Sequence, residues 1–127
     1  MVCNVKNFNS FLKKINFDVD LLDKLPETKI LAKDSISNIV VDNETALFNI
    51  SRKIILDNED NILLDCEFAV RIIFDSDVTK DNVSTLFYES KEPIVSTIFS
   101  DISLVISNIT KTSSLGAVIT PPIFIKA

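Results

Sequence analysis

The residue type that says most about chemistry here is the one that is missing. No histidine occurs in the 127 residues. That removes the usual general base, the usual metal ligand, and the Ser–His and Cys–His nucleophile pairs. The single glycine, Gly116, rules out a glycine-rich phosphate loop, and neither GxxxxGK[ST] nor GxGxxG occurs. Asp57, Glu59 and Asn61 are spaced like the start of an EF-hand calcium loop. The obligatory glycine and a distal glutamate in register are lacking, so the stretch reads as a solvated polar turn. Cys66 falls on the apolar side of an alternating run, where a thiol packs as a small hydrophobe and is not reactive. Cys3 is the other cysteine, and two thiols with no export signal read as reduced. Asp65 and Glu67 share a face with Arg71 nearby, which fits either a wet sheet face or an acidic docking surface. The expectation is a non-enzymatic protein with no cofactor and no metal.

The bulk properties narrow the partners. Thirteen basic against 18 acidic residues give a formal charge of −5, the wrong sign for a nucleic-acid partner. Hydrophobic content of 46%, with nine phenylalanines and no tryptophan, fits one globular domain over residues 1–127. The opening MVCNVKNFNSF lacks the apolar core of a signal peptide, and serine and aspartate interrupt every long apolar run. A cytoplasmic chain without membrane insertion is expected.

The elements follow from periodicity. Ile94, Val95, Ile98, Phe99, Ile102, Val105, Ile106 and Ile109 recur at steps of three and four, the repeat of one helix face. Ser96, Ser100, Ser103 and Ser107 form a stripe roughly opposite, facing water or letting a second helix approach closely. Ser90 is the expected N-cap, with Pro93 in the first turn. Thr110 to Ser114 reads as a polar exit, and Pro121 and Pro122 impose an extended terminus. Phe11 to Leu21 alternates with Phe11, Ile15, Phe17, Val19 and Leu21 on one side, as a strand with one wet face. Leu22 to Ile39, containing Pro26, reads as a crossover with strand-like residues near Ile30 and Leu31. Thr45 to Leu56 alternates again, although Arg52 interrupts its apolar face. After the polar turn at 57–61, Ile62, Leu64, Cys66, Phe68, Val70, Ile72 and Phe74 share a face, so the two runs make a hairpin. Asp75 to Ser84 reads as a loop. An antiparallel sheet covered on one side by a long helix is α+β.

Several short stretches together resemble the SecB protein-export chaperones. Cys66-Glu67-Phe68-Ala69-Val70-Arg71-Ile72-Ile73-Phe74 is similar to the family's CEV-QQGG-IF strand. Leu86-Phe87-Tyr88-Glu89-Ser90-Lys91-Glu92 is similar to its LFPYARE helix opening, with Ile94 in the following apolar position. Val118-Ile119-Thr120-Pro121-Pro122-Ile123-Phe124 resembles its L-x-L-x-PxxF segment, and Lys13-Lys14-Ile15-Asn16-Phe17-Asp18 its KDISFE strand. The resemblance spans most of the chain in the right order.

This resemblance implies a four-stranded antiparallel sheet with the long helix packed behind it. It also implies a dimer of dimers whose helices meet at the interface, which would give the serine stripe its purpose. It implies unfolded polypeptides as clients, held in apolar grooves without nucleotide. An acidic sheet face meeting a translocase motor is implied too, with Asp18 and Glu67 matching that face, beside Asp65. The chain departs from the pattern at Lys14, which stands in place of an acidic residue, and at Arg71-Ile72, which replaces the glycine pair. The segment from Glu92 to Pro121 is longer than in the export chaperones, and the family's second helix and acidic tail do not follow before Ala127. The expected function is an ATP-independent holdase-type chaperone, with export as the family's usual setting. Ile30, Leu31, Ile36, Ile39, Val40, Phe87 and Phe99 are the candidate groove residues. The alternative is a dedicated interaction module serving one partner, as in chaperones associated with toxin–antitoxin systems.

Overall fold

Long alternating runs commit most of this chain to strands, and one helical run supplies the cover. The computed structural model describes residues 4–18, 30–56, 61–89, 93–111, 118–121 and 125. The elements in order are β1 (Val5–Phe17), β2 (Ile30–Asp42), β3 (Thr45–Leu56), β4 (Ile62–Phe74), α1 (Lys80–Glu89) and α2 (Pro93–Thr110). The strands form one antiparallel sheet in the order β1-β4-β3-β2, with helices completing an α+β fold as expected. Residues Val19 and Leu21 of the expected first strand, the start of the crossover with Pro26, most of the turn at 57–61, Cys3, Ser90 and Gly116 lie outside the described residues.

The β3–β4 hairpin follows its sequence pattern. Ala46, Phe48, Ile50, Ile54 and Leu56 point to one side with Leu64, Cys66, Phe68, Val70, Ile72 and Phe74, all at most 3% exposed. The helices cover that side. α2 buries Ile94, Val95, Ile98, Phe99, Ile102 and Ile106 in the same cluster, and α1 adds Val83 and Phe87. α2 has the length and mean hydropathy of a membrane-crossing helix. Its apolar stripe is nevertheless accounted for by this core, as in any helix laid over a sheet.

Three features differ from the sequence reading. First, β1 starts at Val5 and shifts register between Leu12 and Lys14. Because strand side chains alternate, one extra residue reverses their faces. Phe8 pairs with Ile72 and Leu12 with Phe68 before the shift, whereas Ile15 pairs with Cys66 after it. Phe11 is therefore on the opposite face from Ile15 and Phe17, contrary to the expected single alternation.

Second, the crossover contains a full strand. β2 runs beside β3 through Ala32↔Ile54, Asp34↔Arg52 and Ile36↔Ile50, then shifts register between Ser37 and Val40. Asn38 lies in this shift with φ 55°, and Asn43, with φ 54°, turns the chain into β3. Asparagine tolerates this left-handed region better than most side chains.

Third, the expected loop at 75–84 contains the start of α1. Thr79 and Asn82 cap each other: Asn82 N donates to Thr79 Oγ1 (3.2 Å), and Thr79 N donates to Asn82 Oδ1 (2.9 Å). This is the reciprocal arrangement of a capping box, with asparagine in the third position. Thr110 is likewise not part of a polar exit. It is fully buried, gives its hydroxyl to Ile106 O (2.8 Å) and takes the Val118 amide (2.7 Å), so it ties the end of α2 to the terminal segment.

Candidate functional site

The interruption at Arg52 lies at the centre of the most organised polar group. Arg52 and Asp34 face each other across β3 and β2 on the side that packs under α2, and both are essentially inaccessible. Nε donates to Asp34 Oδ1 (2.7 Å) and Nη2 to Asp34 Oδ2 (2.8 Å), a bidentate pair. Nη1 reaches Ser103 Oγ on α2 (3.2 Å), Thr120 Oγ1 (3.0 Å) and the Pro121 carbonyl (2.9 Å). The guanidinium carbon lies 5.0 Å from the centroid of Phe99, a cation–π contact. Among the described residues no buried side-chain nitrogen or oxygen lacks a hydrogen-bond partner. A charge taken out of water is tolerated only when it is matched in this way. The result is a clamp joining β2, β3, α2 and the terminal segment, where Ile125 N also donates to Asp34 Oδ2 (2.7 Å).

Cys66 lies beside the clamp on β4, and its thiol contacts the Arg52 carbonyl (3.7 Å). Burial pushes the thiol up to about 12, which keeps it protonated and unreactive near neutrality. Among the described residues no group of His, Cys, Asp or Glu side chains is arranged to hold a metal ion.

The sheet face away from the helices has two ends. At one end Lys14 pairs with Glu67, and Asn16 with Asp65, across β1 and β4. Ser51 and Lys53 continue the same two rows on β3. Ser51 Oγ donates to Asp65 Oδ1 (3.1 Å). Asp65 and Glu67 are brought together as expected, but Lys14 and Lys53 stand opposite them, so this end is mixed in charge. Asp18 is exposed just past the end of β1, its amide bound to the Leu63 carbonyl (2.8 Å).

The other end of that face exposes large apolar side chains among asparagines and Arg71. Phe11, Val40 and Leu47 are 61%, 58% and 47% exposed. In register they stand with Ala69 and Arg71 on β4, since Phe11 pairs with Ala69 and Leu47 pairs with both Arg71 and Val40. An open hollow of about 340 Å³ lies among Asn9, Phe11, Asn38, Leu47, Asn49 and Arg71.

The expected groove residues do not come together in this chain. Leu31 and Val40 are exposed. Ile36 and Ile39 are half-buried against the core, and Ile30 pairs with Leu56 through its backbone. Phe87 and Phe99 are fully buried, which corrects their reading as groove lining. Phe48, Phe87 and Phe99 form an edge-to-face series with centroids 5.3 and 6.2 Å apart, so these rings are needed inside. The serine stripe also divides. Ser96 and Ser100 are exposed, whereas Ser103 is half-buried in the clamp and Ser107 is half-buried near the helix end. Sequence reading gave neither Asp34 nor Thr120 a place in a site, although Thr120 lies in the terminal stretch that carries the family resemblance. The only available signal for Asp34 was a carboxylate in an alternating run.

No family model matches this sequence, and no curated protein matches it. The fold does have solved counterparts. One is the Mycobacterium tuberculosis SecB-like chaperone Rv1957, solved in complex with a ChAD peptide from the HigA1 antitoxin. It superposes with a TM-score of 0.57 over 97% of this chain and 85% of that chain, at 11% identity. The chain therefore has a SecB-like fold.

Proposed function

We propose that this chain is a holdase-type chaperone, working in the cytoplasm without nucleotide, that binds exposed apolar segments of unfolded polypeptides. The observation that carries the reading is the exposure of Phe11, Val40 and Leu47, in two adjacent register rows, on the face of a SecB-like sheet away from the helices. Large side chains left in water on β1, β2 and β3, with Ala69 and Arg71 of β4 between, offer a surface on which a client buries apolar area. Such a protein needs no catalytic group. By binding the unfolded state and not the native one, it lowers the concentration available for aggregation. Assembly of copies, as the family resemblance implies, would extend this surface.

Dilution of a denatured, aggregation-prone protein into buffer tests the reading. Light scattering is expected to fall as the chain is added, and equal scattering with and without it refutes the proposal.

A narrower reading is favoured by one fact, that the structural neighbour was solved with a peptide from one antitoxin. On that reading this chain serves a single dedicated client. Co-purification separates the two: one stoichiometric partner supports the dedicated role, and a spectrum of unfolded proteins supports the general one. Export through a translocase motor would require docking on the mixed-charge end of the sheet, where Lys14 and Lys53 offset Asp65 and Glu67.

A further inference from the structure

Covering the apolar side chains of the helix-free face means covering one cation with them. Arg71 is exposed on β4 and lines the same hollow of about 340 Å³ as Phe11 and Leu47. In register it stands between Asn9 on β1 and Leu47 on β3, and its same-face neighbours on β4 are Ala69 and Ile73. The residues opposite those two, Phe11 and Asn49 at one and Asn7 and Thr45 at the other, are uncharged as well. The acids that flank Arg71 along the chain, Glu67 and Asp75, are each four residues away, roughly 13 Å at the rise of a strand. Each has nearer company: Glu67 stands opposite Lys14, and Asp75 Oδ1 accepts from the Asn4 amide (3.1 Å). Among the described residues the Arg71 side chain has no hydrogen-bond or ion-pair partner.

We propose that this hollow selects client segments in which an aspartate or glutamate lies among bulky apolar residues, with Arg71 determining the choice. The inference rests on the holdase reading and names the class of segment that the face accepts. A client that buries Phe11 and Leu47 also strips water from the guanidinium between them, and a charge losing water needs an acceptor in return. A client carboxylate meets it with two parallel hydrogen bonds. An apolar or amide side chain leaves the charge unmatched, and a lysine adds repulsion. Asn9 and Asn38, at the edge of the hollow, offer amide donors and acceptors to the client main chain. The selection runs against the molecule's overall field, because a net charge of −5 favours basic partners at long range. It is therefore a local property, made on contact, and it disappears with Arg71.

The chain has no tryptophan, so a tryptophan placed in a peptide reports binding against a silent background. The test titrates the full chain into three peptides, acetyl-GWLXLFG-amide, in which X is glutamate, glutamine or lysine. Capping both ends leaves the side chain of X as the only charge. The glutamate peptide is expected to bind about tenfold tighter than the lysine peptide, with glutamine between them. Arg71→Gln is expected to abolish the glutamate preference, Arg71→Lys to keep the order, and Phe11→Ser to weaken all three peptides. Equal affinities for the wild-type chain, a lysine preference, or no binding of any peptide overturns the proposal. A glutamate preference that survives in Arg71→Gln also overturns it. Aggregation suppression by the wild-type preparation separates the two levels. Intact suppression with a failed peptide order rejects the selectivity alone, whereas loss of suppression rejects the holdase reading beneath it.

Discussion

Removing the Asp34 carboxylate is the most informative single perturbation of this fold. Asp34→Ala deletes both charged hydrogen bonds to Arg52, at 2.7 and 2.8 Å, and leaves the guanidinium inaccessible to water. Breaking a buried pair by removing one partner costs about 3–5 kcal/mol, mostly from the charge left behind. A chain of this length is stable by about 6–19 kcal/mol, so the loss is a large share of the whole. It corresponds to a melting temperature lower by about 10–20 °C. The double variant Asp34→Leu/Arg52→Met removes the charge altogether, while Ser103 still bonds to the Pro121 carbonyl and Thr120 to Ser103. It is expected to lie within about 2 kcal/mol of wild type, well above Asp34→Ala alone. Urea denaturation followed by circular dichroism measures all the variants. A cost below about 1 kcal/mol for Asp34→Ala would show that water reaches the guanidinium and would refute the burial argument.

The remaining expectations concern neighbouring parts of the core. Because burial raises the Cys66 thiol to about 12, its contribution to stability is fully present below the unfolded value near 9 and is lost as pH rises from there toward 12. Urea midpoints should fall across that window more steeply for wild type than for Cys66→Ala; parallel curves would contradict the assignment. Native protein at pH 8 should also leave Cys66 unlabelled by a thiol reagent, with labelling appearing on denaturation. Phe87→Ala opens the ring series and should cost about 3–5 kcal/mol, whereas Leu104→Ala on the exposed side of α2 should change stability by less than about 0.5 kcal/mol. Equal effects at the two positions would mean that α2 is packed the other way round.

The parts of the fold that were readable in sequence are those with an unbroken period. β4 alternates from Leu64 to Phe74 and α2 keeps a helical repeat from Ile94 onward, so both were placed with their buried faces correct there. At the start of β4 the pairing with β3 shifts register, leaving Ile62 exposed and Leu63 buried, contrary to the expected alternation. β1 and β2 each contain a register shift, and a single-parity template follows only one side of it. Asp34 hid β2 for a second reason. A carboxylate in a core-facing position looks like a break in the strand, as Arg52 looked like a flaw in β3. Each is intelligible only with the other, 18 residues away, and that pairing exists only once the two strands lie side by side. α1 was different, since Thr79 and Asn82 carry a capping signal that could have been read. Of the candidate site, the acidic pair Asp65 and Glu67 was legible because both lie on one regular strand. The exposed position of Phe11 was not, because the shift before Lys14 decides it.

The alternation of lysine with acidic residues on the helix-free face also has a kinetic consequence. Seen from beyond about 8 Å at physiological salt, the lysine and the acid within each row cancel, and an approaching protein feels only the molecule's general negative potential. Encounter at that end should therefore gain no local steering from these side chains, and any salt dependence should reflect the net charge alone. Whatever settles on this face is held by what it touches after arrival.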